Sequence, residues 1–452
     1  MKRPSQLEQF LASQQEVGLA ESQGAFTIAR DEALRKLASF RLPFERAWVL
    51  KIVQAAVASG APSLDIKQTS TDTEFHFTAP KSWTLDRLEE AFFTPNLSGD
   101  RALDHLMAGL WGASLNDGRP FQLLWPGCPE SLIWSGREMT RITDPEPVRH
   151  LQLVVSHRRL EEGKGIFGIR NIQAAQRNAD ILKTLTHRAF TCSIPLRVDA
   201  RRMDALQLSP NHGYGKASHP VSLGWAPADD GTFVLPPGTF AGVLPSEQAH
   251  KQEVTRSLSF SVERPAVPNT NQVIAAWLMT THFEEVKSGK SKTWELRQKP
   301  SKLYWVHDGV ILGSEELFPS DRSVSIGVFA DVGELKLDLT GFGIIHEEAH
   351  QARKQRVLQA AAAAFEAVPA IPLSAFVENA QESGRKLGTV LAVGGVLTLA
   401  LSPLHSLMFL AGAAFTYYTA GNVEAGIESG LQSGLAELRD EYQSALVSSK
   451  GP

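Results

Sequence analysis

The sharpest chemical signal in the chain is His346-Glu347-Glu348-Ala349-His350, an H-E-x-x-H pattern. On a helix, such histidines stand one turn apart and bind zinc from one face, while the glutamate between them activates a metal-bound water. Glu366, Glu378 or Glu382 would supply a third ligand. Two features oppose that chemistry: Glu348 puts a charge inside the motif, and the following QARKQRVLQ is polar, as on a solvated helix. The expectation is an exposed, charged helix start that holds no zinc, with a membrane-associated metallopeptidase as the alternative. Gly163-Lys164-Gly165-Ile166-Phe167-Gly168 spells G-x-G-x-x-G, a dinucleotide-loop pattern. The charged RRLEE separates it from the preceding strand, and its neighbours read as antiparallel rather than βαβ, so it reads as a loop. No G-x-S-x-G elbow or other nucleophile context is present. Cys128 and Cys192, the only cysteines, lie far apart in sequence and make neither a disulfide framework nor a zinc knuckle.

The elements that must position any site fit an α+β chain. With 452 residues, 43% hydrophobic and 21% charged, there is material for two or three domains. The formal net charge is −4, with Lys and Arg scattered singly or in pairs, so no basic face collects phosphates and nucleic acid is not an expected partner. Residues 26–28 read as a strand and 31–40 as an amphipathic helix. Pro43 opens a second helix over 44–59 whose apolar positions run nearly all the way round, the pattern of an element buried on several sides. Gly60 ends it, and alternating strands follow at 63–69 and 73–78. Helices at 85–93 and 102–110 lead into strands at 120–126, 131–134, 138–142 and 148–156. An amphipathic helix spans 171–187, then a strand 192–198. A second α/β region carries expected strands at 220–225, 238–244, 256–263, 302–307, 323–330 and 334–339, and an expected helix at 270–281. Residues 346–383 read as a helical stalk.

The order of the N-terminal elements resembles the Bergerat-fold, or GHKL, ATPase superfamily, which includes gyrase, the large heat-shock chaperone class, mismatch-repair ATPases and histidine kinases. The resemblance covers roughly residues 26–200. Its local matches are KIVQAAVASGAPSLDI (51–66), where the family has a helix carrying a Mg-holding Asn, and AGLWGAS (108–114), where it has a glycine-rich lid segment. HRAFTCSIPLRVDARRMD (187–204) resembles the join to the family's transducer domain. The resemblance implies a cofactor site for ATP with Mg²⁺, held by Gln54 through its amide oxygen and by backbone N–H groups around Gly109 and Gly112. It implies that Gln54 faces the segment 109–114 across a cavity. Two departures stand against turnover. Leu50 occupies the place of the general-base Glu, and the strand ending Phe77-Thr78-Ala79-Pro80-Lys81 lacks the Asp that reads adenine. No catalytic residue is therefore assigned; Glu45 or Asp65 would have to serve as base in an active ATPase.

Between Leu387 and Val423 no residue carries a formal charge, and 387–418 is almost wholly apolar. This exceeds the roughly 20 residues that one helix needs to cross a bilayer, and Pro403 interrupts it near the middle, so a transmembrane hairpin is expected over a single kinked span. Arg385 and Lys386 before it, against Glu424 and Glu428 after it, put the soluble part inside, and the start MKRPSQLEQF has no apolar leader core. Gly426, Gly430 and Gly434 form a small-residue stripe suited to close helix packing. The expected architecture is a flexible N-terminus (1–25), a GHKL-like α/β sandwich (26–190), a transducer-like α/β domain (191–345), the stalk (346–386), membrane helices (387–420) and a C-terminal helix (421–452). The expected role is conformational or scaffolding, in a cytoplasmic protein anchored to the inner membrane with a degenerate nucleotide pocket. An active chaperone-like ATPase and a structural membrane adaptor are the other readings. Expected partners are the membrane, a protein the sequence does not name, and, left open, a second copy of the chain.

Overall fold

The computed structural model describes residues 42–94, 99–115, 118–143, 148–157, 167–205, 216–227, 273–288, 291–362, 365 and 429–446. The expected elements at 26–28, 31–40, 238–244 and 256–263, most of the G-x-G-x-x-G stretch, and the membrane segment 387–420 lie outside these residues. Among the described residues no helix is long and apolar enough to cross a membrane. The chain is α+β, built on two mixed sheets with helices against them.

Helix α1 (Ala47–Ala58) is the centre of the first layer, and every residue from Ala47 to Ala56 is buried. Its all-round apolar surface is matched on each side. Trp48 meets Phe75 of the sheet edge-on with ring centroids 5.7 Å apart, and helix α3 (Arg101–Ser114) packs along its length. Gly60, at φ +71°, turns the chain out of α1 into strand β1 (Leu64–Gln68), which pairs antiparallel with β2 (Asp72–Phe77). Alternation puts Leu64, Ile66, Phe75 and Phe77 on the buried face. Helix α2 (Leu85–Phe93) is capped by the Thr84 hydroxyl, which accepts from the Arg87 N–H, and α3 by Asp100, which accepts from the Leu103 N–H. Strands β3 (Phe121–Leu124), β4 (Glu130–Trp134), β5 (Met139–Thr143) and β6 (Leu151–Ser156) follow, then helix α4 (Phe167–Arg188), β7 (Leu196–Val198) and β8 (Arg201–Arg202). The sheet order is β5-β4-β3-β6-β2-β1-β7-β8, with β1 and β7 parallel. The strand expected to open the second domain at 192–198 thus completes the first sheet instead.

The second sheet contains β9 (Lys216–Pro227), β10 (Val273–Ser288), β11 (Ser291–Arg297), β12 (Lys302–His307), β13 (Val310–Glu316) and β14 (Val324–Asp331). Its order is β11-β10-β14-β12-β13, with β9 on the other edge of β10. The expected helix at 270–281 is a strand. All residues from Val273 to His282 are buried, so the run shows no polar face and its period is hidden. Residues 334–339 form no strand beyond a single bridge between Leu337 and Ile344. Helix α5 (Glu348–Ala361) is not a free stalk: His350, Val357, Leu358 and Ala361 are buried where it lies on this sheet. A last helix, α6 (429–446), also packs here through Leu431, Leu435, Leu438 and Tyr442. Gly430 accepts a hydrogen bond from the Ser323 hydroxyl at its carbonyl, and a Cβ on Gly434 would run into the same side chain. Those two glycines of the stripe therefore serve close packing.

Candidate functional site

The two sheets meet where the β12–β13 hairpin enters the helical face of the first layer. Asp308 and Gly309 form its two-residue tip, both at positive φ (45° and 76°), the left-handed turn that matches strand twist. The Asp308 carboxylate receives His105 Nε2 at 3.0 Å and Arg101 at 3.1 Å, both from α3, and lies 3.4 Å from His307 Nε2. Gln54 Nε2, from α1, donates to the His307 carbonyl at 3.1 Å, and the Thr191 hydroxyl donates to the Gly309 carbonyl at 3.0 Å. Arg188, at the end of α4, donates to the Ile311 and Leu312 carbonyls at 3.3 and 2.8 Å. Burial lowers the pKa of His105, and that of His307 to about 4, so both rings are neutral near pH 7. Burial raises the Asp308 pKa, but the His105 hydrogen bond and the neighbouring positive charges reverse that and hold it below the usual carboxylate range. The ionised carboxylate therefore accepts from neutral His105, which carries its proton on Nε2.

A second contact lies one helical turn away. Lys51 is almost fully buried, with its ammonium 3.5 Å from the Gly341 carbonyl and 4.5 Å from the centre of the Phe342 ring. Burial lowers its pKa to about 8 against the pull of Asp338 and Asp308. The loop that brings Phe342 here is folded around Asp338, whose carboxylate accepts from the Thr340 hydroxyl at 2.7 Å and from the N–H groups of Phe342 and Gly343 at 3.1 Å. Phe342 also meets Phe44 edge-on at 5.7 Å.

The sequence-derived nucleotide residues lie on these helices, but in another arrangement. Gly109 and Gly112 are inside α3, not in a loop, and they let α3 press on α1. A Cβ on Gly109 would stand 2.6 Å from Ile52 Cδ1 and 3.2 Å from the Trp48 carbonyl, and one on Gly112 would meet Leu42. Gln54 and Leu50 are fully buried. Gln54 Oε1 has no hydrogen-bond partner among the described residues. These residues do not fit ATP with Mg²⁺. Mid-helix N–H groups are committed to carbonyls four residues back, and the face around Gln54 is covered by the hairpin tip. His105, His307 and Asp308 escaped the sequence reading. The one available signal was Asp-Gly between two apolar runs, which marks a hairpin but not what its tip touches.

The H-E-x-x-H residues also depart from the peptidase template. His346 and Glu347 precede α5, so the two histidines do not share a helix. Glu347 turns to Lys336 at 3.0 Å. His346 and Glu348 are exposed, as expected, whereas His350 is 1% exposed. His350 Nε2 lies 2.6 Å from Glu315 Oε1 of β13, and its Nδ1 lies 3.2 Å from His346 Nδ1. Glu366, Glu378 and Glu382 lie outside the described residues, while Glu315 stands in the neighbourhood they were expected to fill.

No family model and no curated protein matches the chain. Among solved structures, one described as the crystal structure of the N terminal domain of a DNA repair protein is similar at 8% identity, over 71% of this chain and 94% of that one, with a TM-score of 0.32. A likeness that weak carries no argument.

Proposed function

We propose that this chain is a non-hydrolytic conformational or scaffolding protein in which the helical face of a GHKL-like layer holds a second domain rather than a nucleotide. One observation carries the reading: Gln54 and Lys51, the polar side chains of α1 on that face, both donate to carbonyls from beyond β11, those of His307 and Gly341. Leu50 adds no carboxylate that would orient a water. The test is equilibrium binding of Mg²⁺-ATP to the full chain, together with steady-state turnover. Neither saturable binding nor turnover above background is expected. Saturable binding that Gln54→Ala removes would overturn the reading and restore the nucleotide pocket.

Attachment to a membrane through 387–420 belongs to the same proposal. Its support is the apolar run itself and the position of the chain on either side of it. Phe365 and α6 lie together, with the Phe365 and Tyr442 rings 4.5 Å apart and Arg439 donating to the Phe365 carbonyl at 3.2 Å. A segment that leaves and returns to one body crosses a bilayer an even number of times, which favours the hairpin over the single span.

A further inference from the structure

We propose that His346 and His350 seat a zinc-class divalent cation between their Nδ1 atoms, with Glu315 as the positioning residue that holds His350 in the ligating tautomer. The proposal is independent of the nucleotide question. An ionised carboxylate can only accept, so the 2.6 Å contact between Glu315 Oε1 and His350 Nε2 requires the proton on Nε2. In the neutral ring this leaves the lone pair on Nδ1, pointing at His346. Glu315 is well fixed for this task. Its Oε1 also accepts from Trp305 Nε1 at 2.6 Å, and its Oε2 from Lys354 at 2.9 Å. With Trp305 donating to one oxygen and Lys354 to the other, both Glu315 oxygens are placed as acceptors. A carboxylate bonded to the far nitrogen of a ligating histidine is the usual outer support of a zinc site.

The spacing fits as well. Two nitrogens bound to tetrahedral zinc at about 2.0–2.1 Å are separated by about 3.3 Å, and the two Nδ1 atoms here are 3.2 Å apart, with the rings perpendicular at 4.5 Å between centroids. Without a cation, two facing lone pairs would repel, so one proton must sit between them, donated by His346. On binding, His346 moves its proton to Nε2 and the cation takes the shared place. His350 is buried and His346 exposed, which leaves the remaining coordination positions on the solvent side for water. Glu347, the residue that would activate that water in the peptidase pattern, is turned to Lys336 instead, and Glu315 is engaged by His350, so neither serves the peptidase step.

The test uses the full chain, stripped with chelator and titrated with Zn²⁺ against a chromophoric competitor, with Co²⁺ absorption as a report of coordination. One saturable site per chain is expected. His346→Ala should abolish it while leaving the chain folded, with the metal-free melting temperature lowered by no more than the loss of its one hydrogen bond to His350. Glu315→Gln should weaken it about 10–100-fold, the usual effect of losing an outer carboxylate. Absence of a saturable site in the unmodified chain, or the same affinity in His346→Ala, would overturn the proposal. Unchanged affinity in Glu315→Gln would remove Glu315 from it.

Discussion

Replacing Gly309 by alanine should loosen the joint between the two sheets more than the same change at another left-handed glycine. Gly309 has φ +76°, where an L side chain costs about 1–2 kcal/mol. A Cβ there would also stand 2.9 Å from Cys192 Cα and 3.3 Å from both the Ser193 nitrogen and Val57 Cγ2. The nearest of these atoms is backbone and cannot rotate away, so the hairpin tip must back out, an overpacking cost of roughly 1–3 kcal/mol. Together the two effects give about 2–5 kcal/mol. Gly60→Ala is the control: its φ is +71° but nothing lies within 4 Å of the new Cβ, so only the backbone cost of about 1–2 kcal/mol should appear. Urea unfolding reads the difference. Hydrogen exchange should show new opening at residues 305–312 and in α3, where His105 and Arg101 lose Asp308. Equal destabilisation by the two substitutions, with α3 protection unchanged, would refute the close docking of the hairpin.

Acid should weaken the protein before its carboxylates titrate. His307 is lowered to about 4 by burial, and His157 to about 3 by burial and by the Arg177, Arg119 and Arg46 guanidinium groups. An unfolded histidine titrates near 6.5, so below that pH the unfolded chain binds more protons and stability falls as pH drops towards 4, by on the order of 3 kcal/mol for His307. Asp308, with its lowered pKa, adds a further loss below about pH 4. Urea midpoints that stay flat between pH 7 and pH 4.5 would contradict this. The intact chain should float with liposomes and a chain lacking 387–420 should not, since each CH₂ moved into lipid contributes about 0.8 kcal/mol. Recovery of the intact chain in a high-salt, detergent-free supernatant would end the membrane reading.

What could be read from the sequence was local and periodic. The nearly all-round apolar pattern of 44–59 announced a helix buried on several sides, the alternation in 63–69 and 73–78 announced strands, and Gly60 marked the break between them, because each signal lies within one turn or one pleat. The pattern failed at 273–288, where a strand buried on both faces looks like a buried helix, and at Gly109 and Gly112, where the same glycines suit a phosphate loop or a helix contact. The long-range pairings were beyond it. Asp308 reaches Arg101 and His105, Gln54 reaches His307, and Glu315 reaches His350 across stretches of chain that no spacing rule connects. The H-E-x-x-H pattern placed two histidines near each other but said nothing of burial. Only packing of α5 on the second sheet sank His350 beside a strand carboxylate while leaving His346 in solvent, because burial and partner geometry belong to how elements stack, not to the order of residues along any one of them.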